Sequence, residues 1–131
     1  MDARVPARHV VIVVDDDAAV RRALAFTLDL EGFQVETFES GEALLLQSLE
    51  SPIDCVVIDE RLPGVAGIEA LRQFRARRPT TPTILVTSHP KPMLRAAAAE
   101  AGIPILEKPL TGETLVAAIR EAIKRAPPSR S

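Results

Sequence analysis

Apolar residues fall into five short runs, each followed by a longer stretch in which they recur with helical spacing. The runs are Val10–Val14, Gln34–Phe38, Cys55–Ile58, Thr83–Thr87 and Ile103–Leu106. Unbroken Val/Ile runs, as in the first and third, suit central strands of a parallel sheet covered on both faces. The second run alternates apolar with polar residues, which predicts a more exposed strand. Between the runs, Val20, Leu24, Thr27 and Leu28 share one helical face opposite Arg21, Arg22 and Asp29, and Gly32 ends that helix. A second helix is expected over Ser40–Glu50, with Ser40 as N-cap and Pro52 beyond its end. Ile68, Leu71 and Phe74 point inward on a third helix that Pro79 terminates, with a solvated basic end from Arg72 to Arg78. The fourth is the Ala-rich stretch Met93–Ala101 before Gly102. The fifth begins near Thr111, carries Leu115, Ile119 and Ile123 inward, and stops by Pro127. Alternating strand and helix in this way predicts an α/β domain with a parallel sheet.

Composition narrows the class. The 131 residues are 47% hydrophobic with 3% aromatic and neither Trp nor Tyr, so one aliphatic core fits the chain and a second domain does not. Sixteen basic and 18 acidic side chains leave a formal charge of −2, which argues against a nucleic-acid footprint. A single cysteine, Cys55, excludes an internal disulfide framework; preceding three apolar strand residues, it reads as a small core residue. The run Val10–Val14 ends in three aspartates and is far too short to span a membrane. Together these features predict a cytoplasmic protein. Residues 1–8 and 127–131 have no periodicity and read as frayed, disordered ends around a domain over residues 9–126.

In an open parallel sheet, functional groups collect beyond the carboxyl ends of the strands. Here those ends carry Asp15, Asp16 and Asp17; Asp59; Thr87 and Ser88; and Glu107 and Lys108 before Pro109. Carboxylates brought together repel one another unless a hard, oxygen-preferring cation lies among them, and Mg²⁺ fits that description. With the cation present, one carboxylate oxygen can act as a nucleophile toward a phosphoryl group, and a lysine can neutralise the charge on the other oxygens. Asp17 is placed to cap the first helix. His89, with no second His or Cys nearby, does not suggest a metal ligand by itself.

Four segments, Val13-Val14-Asp15-Asp16-Asp17 with Arg21-Arg22 beyond it, Val57-Ile58-Asp59-Glu60-Arg61-Leu62-Pro63-Gly64, Ile84-Leu85-Val86-Thr87-Ser88 and Glu107-Lys108-Pro109, stand in order at the strand ends. In this the chain resembles the receiver domains of two-component response regulators, over roughly residues 9 to 126. The resemblance implies a flavodoxin-like, doubly wound (βα)5 fold with a five-stranded parallel sheet in the order 2-1-3-4-5. It makes Asp59 the phosphoacceptor, with Mg²⁺, or Mn²⁺ in its place, held by Asp15, Asp16, Asp59 and the main-chain carbonyl of Arg61. It gives Thr87 the part of switch hydroxyl and Lys108 that of phosphoryl-binding ammonium, and puts a cis peptide before Pro109. The phosphoryl group would come from a histidine kinase or histidine phosphotransfer protein, and the output would be a phosphorylation-dependent contact with a downstream protein or a homodimer through the fourth helix, fifth strand and fifth helix. Self-catalysed phosphoryl transfer and slow autodephosphorylation make such a protein a signalling substrate more than a turnover enzyme. With length for one domain only, it would be a single-domain regulator without DNA-binding output.

The family usually places Tyr or Phe three residues before the lysine and Phe after the proline; Ile105 and Leu110 stand there. Arg61, Ser88, His89 and Ile105 therefore become tuning positions, with the bulk of Arg61 and His89 expected to shield the phosphoryl group and slow its loss. Two other readings compete. One is a haloacid-dehalogenase-like phosphohydrolase using Asp15 as nucleophile and Asp17 as acid/base, although its late acidic pair is missing. The other is a receiver-like interaction module that responds weakly because of Ile105.

Overall fold

In the computed structural model, which describes residues 8–46 and 52–126, the apolar runs pair side by side. The elements alternate as β1 (Val10–Val14), α1 (Ala18–Leu30), β2 (Gln34–Phe38), α2 (Gly41–Leu45), β3 (Cys55–Asp59), α3 (Gly67–Arg77), β4 (Thr83–Thr87), α4 (Pro92–Ala101), β5 (Ile105–Glu107) and α5 (Gly112–Arg125). Among the described residues the strands form one parallel five-stranded sheet in the order β2-β1-β3-β4-β5. This is the doubly wound topology implied by the resemblance.

The two-residue period of a strand divides the core in two. Ile12, Val14, Val56, Ile58 and Leu85 face α2, α3 and α4, where Leu44, Leu71, Phe74 and Ala98 meet them. Val11, Val13, Cys55, Val57, Ile84 and Val86 face α1 and α5, against Leu28, Leu115, Val116 and Ile119. The central strands β1, β3 and β4 are buried along their whole length, whereas the alternating β2 lies half open at the edge. Aliphatic packing of this kind stabilises by about 1.5–3 kcal/mol per fully buried Val, Leu or Ile side chain, before conformational entropy is set against it.

Several boundaries differ from expectation. The fifth strand starts at Ile105 and runs through Glu107, because Pro104 has no N–H to donate; its carbonyl still accepts from the Leu85 amide at 3.0 Å. α2 closes at Leu45 with Leu46 as C-cap, and the Arg77 guanidinium bonds the Leu45 carbonyl at 2.7 Å, supplying a donor to a helix end. The remainder of the expected second helix, residues 47–50, lies outside the described residues. The basic end of α3 is not simply solvated: Arg75 reaches the Ala101 carbonyl at the end of α4, and Arg77 ties α3 to α2. Arg8, expected in the frayed N-terminal segment, donates to the Gly32 carbonyl at 3.1 Å and to Asp29 at 2.9 Å; residues 1–7 and 127–131 lie outside the described residues.

Candidate functional site

The carboxyl edge of the sheet is held by backbone bonds that continue one residue past each strand. Asp15 N–H donates to the Phe38 carbonyl at 3.1 Å, Glu60 N–H to Val86 at 2.9 Å and Lys108 N–H to Thr87 at 2.9 Å. The rim side chains therefore project from framework backbone rather than from free loop. Asp17 begins α1 as expected: its carboxylate accepts from the amides of Ala19 at 2.9 Å and Val20 at 3.3 Å. Its own N–H donates to Asp15 Oδ1 at 2.9 Å, so the residue that caps the helix also orients its neighbour.

Asp15, Asp16 and Asp59 each offer a carboxylate oxygen within 4.8 Å of the others. Asp15 and Asp59 are almost wholly buried, and Asp16 is exposed. Lys108 Nζ lies 2.9 Å from Asp59 Oδ1. Burial raises the Asp15 carboxyl above the usual aspartate range; the Asp17 amide and Lys108 oppose this, and the charges of Asp59 and Asp16 reinforce it. Three oxygen donors of like charge at this spacing suit a hard divalent cation, which would relieve the repulsion they now bear. Thr87 is buried, and among the described residues its hydroxyl makes only a long 3.4 Å bond to the Ser88 carbonyl. Asp15, Asp16, Asp59, Arg61, Thr87, Ser88 and Lys108 line one cleft of about 300 Å³.

The other tuning positions lie apart from this cleft. His89 has a left-handed backbone, φ 45°, and borders an adjoining cavity. Ile105 is half-buried at the start of β5, packed against the α2–α4 core. The Lys108–Pro109 peptide is cis, as the resemblance implies.

Three contributors were not singled out from sequence. Arg21, expected on the solvent face of α1, turns back so that Nη1 donates to the Asp15 carbonyl at 2.7 Å. Its place in the second turn of a helix that starts behind Asp15 was the available signal. Glu60 accepts from the Ile68 amide at 2.8 Å and from the Gly67 amide through its backbone carbonyl at 3.1 Å, fixing the start of α3. Burial raises its carboxyl, the Ile68 hydrogen bond lowers it and the Asp59 charge adds to the rise. Gly67 presses so closely on the Asp59 carbonyl that a Cβ would stand 2.4 Å from that oxygen.

Fold and rim together define a doubly wound α/β domain with an acidic cleft and a lysine at the carboxyl edge of its sheet. The chain belongs to the response regulator receiver domain family, which it matches over residues 11–120. It is 38% identical over 120 residues to the transcriptional regulatory protein FixJ of Bradyrhizobium diazoefficiens, covering 91% of this chain and 58% of that protein. The chain thus spans little more than half of that relative's length. Among solved structures, the chemotaxis protein CheY4 of Vibrio cholerae superposes with a TM-score of 0.82 at 26% identity, over 88% of this chain and 99% of that one. The beryllofluoride-activated DrrB receiver domain gives 0.80 at 30% identity, over 91% and 100%. Family membership sets the phosphohydrolase reading aside.

Proposed function

We propose that Asp59 accepts a phosphoryl group from the phosphohistidine of a histidine kinase or phosphotransfer protein. The observation that carries this reading is the buried Asp59 carboxylate, with Lys108 Nζ at 2.9 Å and Asp15 and Asp16 beside it. An Asp59 oxygen attacks phosphorus, the P–N bond to the donor imidazole breaks, and the imidazole leaves with the bonding electron pair. Lys108 then exchanges its carboxylate partner for a phosphoryl oxygen and offsets the new charge. Asp15, Asp16, Asp59 and the Arg61 main-chain carbonyl would hold Mg²⁺, or Mn²⁺ in its place. The bound ion would supply Lewis-acid neutralisation of the phosphoryl oxygens.

The buried Thr87 hydroxyl, which gives up its long bond to the Ser88 carbonyl, turns toward the phosphoryl group. Its backbone is paired with Glu107, next to Lys108, so both groups report on one ladder position. With Ile105 in place of an aromatic ring, the readout passes through the face of α4, β5 and α5 to a cytoplasmic protein partner or to a second copy of the chain. Arg61 in the cleft, and His89 on the adjoining cavity that Asp59 also borders, slow hydrolysis; replacing both with Ala should shorten the lifetime of the phosphorylated form, and an equal or longer lifetime refutes that role.

The test is to incubate the protein with phosphoramidate and Mg²⁺ and to locate the modification by mass spectrometry. One phosphoryl group on Asp59, absent in Asp59→Asn, is the expected result. Modification of Asp15, or none, overturns the proposal. Amide shifts induced by beryllofluoride and Mg²⁺ should extend from the rim into α4 and β5; shifts confined to the rim would identify a passive interaction module instead.

A further inference from the structure

Beside the acidic cleft lies a second cavity of about 520 Å³ that reaches toward the α1 and α5 face of the sheet. Its walls are Val20 and Leu24 of α1, Val57 of β3, Val86 of β4, and Pro109 and Leu110 after β5. Val57 precedes Asp59 by two residues and so shares its side of the strand, placing the apolar floor directly below the carboxylate. Asp15, Asp59 and Lys108 border this cavity as well as the acidic cleft, so the two spaces share a polar boundary. Its volume falls within the 300–1,000 Å³ or so typical of small-molecule sites, and an apolar lining with a few convergent polar groups is their usual character.

The charge at the mouth selects the ligand. Two carboxylates, Asp15 and Asp59, face one ammonium there, an excess of one negative charge when both are ionised, with the His89 imidazole also on the border. The ammonium already pairs with Asp59. Asp15, nine-tenths buried, accepts the Asp17 amide at Oδ1, and no other hydrogen bond reaches its carboxylate among the described residues. An anionic ligand would meet repulsion, and a neutral apolar one would further desolvate Asp15 without giving it a donor. A primary ammonium satisfies the carboxylate while its hydrocarbon body fills the space between Leu24, Val86 and Leu110.

We propose that this cavity binds a small amphipathic amine, an ammonium group on an aryl-alkyl body, with the head on Asp15 and the body beneath the segment Pro109–Leu110. Such a ligand occupies a carboxylate that phosphotransfer is proposed to need and acts as an inhibitor. The binding itself does not depend on that reading, and it is measured without metal or phosphodonor.

The experiment titrates phenylpropylamine into the full chain in metal-free buffer while following methyl resonances. Saturable shifts are expected at Val20, Leu24, Val57, Val86 and Leu110. Phenylpropanol, which has the same body and no charge, should bind about tenfold more weakly or worse, because the charge-assisted bond to a buried carboxylate is lost. Leu110→Phe, which fills the cavity from its wall, should weaken the amine by at least about tenfold through overpacking. Asp15→Asn should remove the preference for amine over alcohol, and it gives an independent reading should Leu110→Phe fail to fold. Equal binding of alcohol and amine, saturable shifts elsewhere only, no saturable shift at all, or an amine preference that survives Asp15→Asn each overturns the proposal.

Discussion

Replacing Gly67 with Ala tests whether the position of Asp59 is set by backbone contact. Gly67 is the first residue of α3, and a Cβ there would lie 2.4 Å from the Asp59 carbonyl oxygen, 2.8 Å from the Glu60 Cα and 3.0 Å from the Asp59 carbonyl carbon. All three atoms are backbone, so no rotamer change relieves the clash. Restoring ordinary contact requires α3 and the Asp59–Glu60 peptide to separate by about 1 Å. That movement strains the Gly67 N–H bond to the Glu60 carbonyl, 3.1 Å long, and the Ile68 N–H bond to its carboxylate, 2.8 Å long. Overpacking of this kind costs about 1–3 kcal/mol, against a gain of up to about 1 kcal/mol from replacing glycine in a helix. Mid-range values of the two leave a net loss of about 1–2 kcal/mol, read as a lower urea midpoint at unchanged slope. Phosphorylation of Asp59 by phosphoramidate should slow by about 100-fold if its carboxylate moves by that amount. Gly112→Ala is the matched control: Gly112 also begins a helix, but its added Cβ would meet the Thr27 Cγ2 at 2.8 Å, a side-chain methyl that can rotate away. It should leave stability unchanged or raise it by up to about 1 kcal/mol. If Gly67→Ala matches Gly112→Ala in both midpoint and rate, the claim that this backbone contact positions Asp59 is wrong.

Three further outcomes follow from the rim and core. Asp17→Ala removes the side-chain acceptor for Ala19 and Val20 but retains the amide that orients Asp15; it should cost about 1 kcal/mol in urea unfolding, and an unchanged midpoint would refute the cap. In metal-free buffer, Asp15→Asn keeps an oxygen for the Asp17 amide and deletes a buried charge. Because the native Asp15 carboxyl lies above its unfolded value, the folded protein binds more protons, and wild-type stability falls as pH rises through that interval. Asp15→Asn should therefore be the more stable protein at neutral pH, the difference closing below the ordinary aspartate range, and a less stable variant at neutral pH would contradict this. Burial pushes the Cys55 thiol up to about 12; native protein should resist a disulfide reagent at neutral pH and react on unfolding, whereas rapid native labelling would show the thiolate to be accessible.

The strands and the acidic rim were legible because both rest on local chemistry, whereas the strand order came from the resemblance to receiver domains. Val10–Val14 and Cys55–Ile58 are Val/Ile runs with no competing helical period, and each ends in the carboxylates that later meet. Pro104 illustrates what local pattern misses: Ile103 is apolar and buried, yet regular pairing must wait for the next residue with an amide to donate. The roles of Arg21, Glu60 and Gly67 were not legible for a different reason. Their importance lies in reaching the Asp15 carbonyl, the start of α3 and the Asp59 backbone, contacts that exist only after helices have docked on the sheet. The cavity behind Asp59 belongs to the same class, since its walls come from separate parts of the chain. Val20 and Leu24 were expected to face inward and do so, but they are half-buried because that space remains between them and Leu110.

The Ala-rich α4 gives the two ends of the site unequal mobility. Its buried contribution to the core is one methyl-bearing residue, Ala98, supplemented by the partly covered Leu94 and Ala101. Burying a methyl-sized group stabilises by only about 0.8 kcal/mol, whereas α5 anchors itself with Leu115, Val116 and Ile119. Local opening should therefore be cheapest on the side where Thr87 hands the chain to α4, and amide exchange should be faster there than in α5. If Thr87 is the switch hydroxyl proposed above, its movement would act on a helix with few buried apolar contacts, while the central strands that hold the carboxylates are packed between two aliphatic layers.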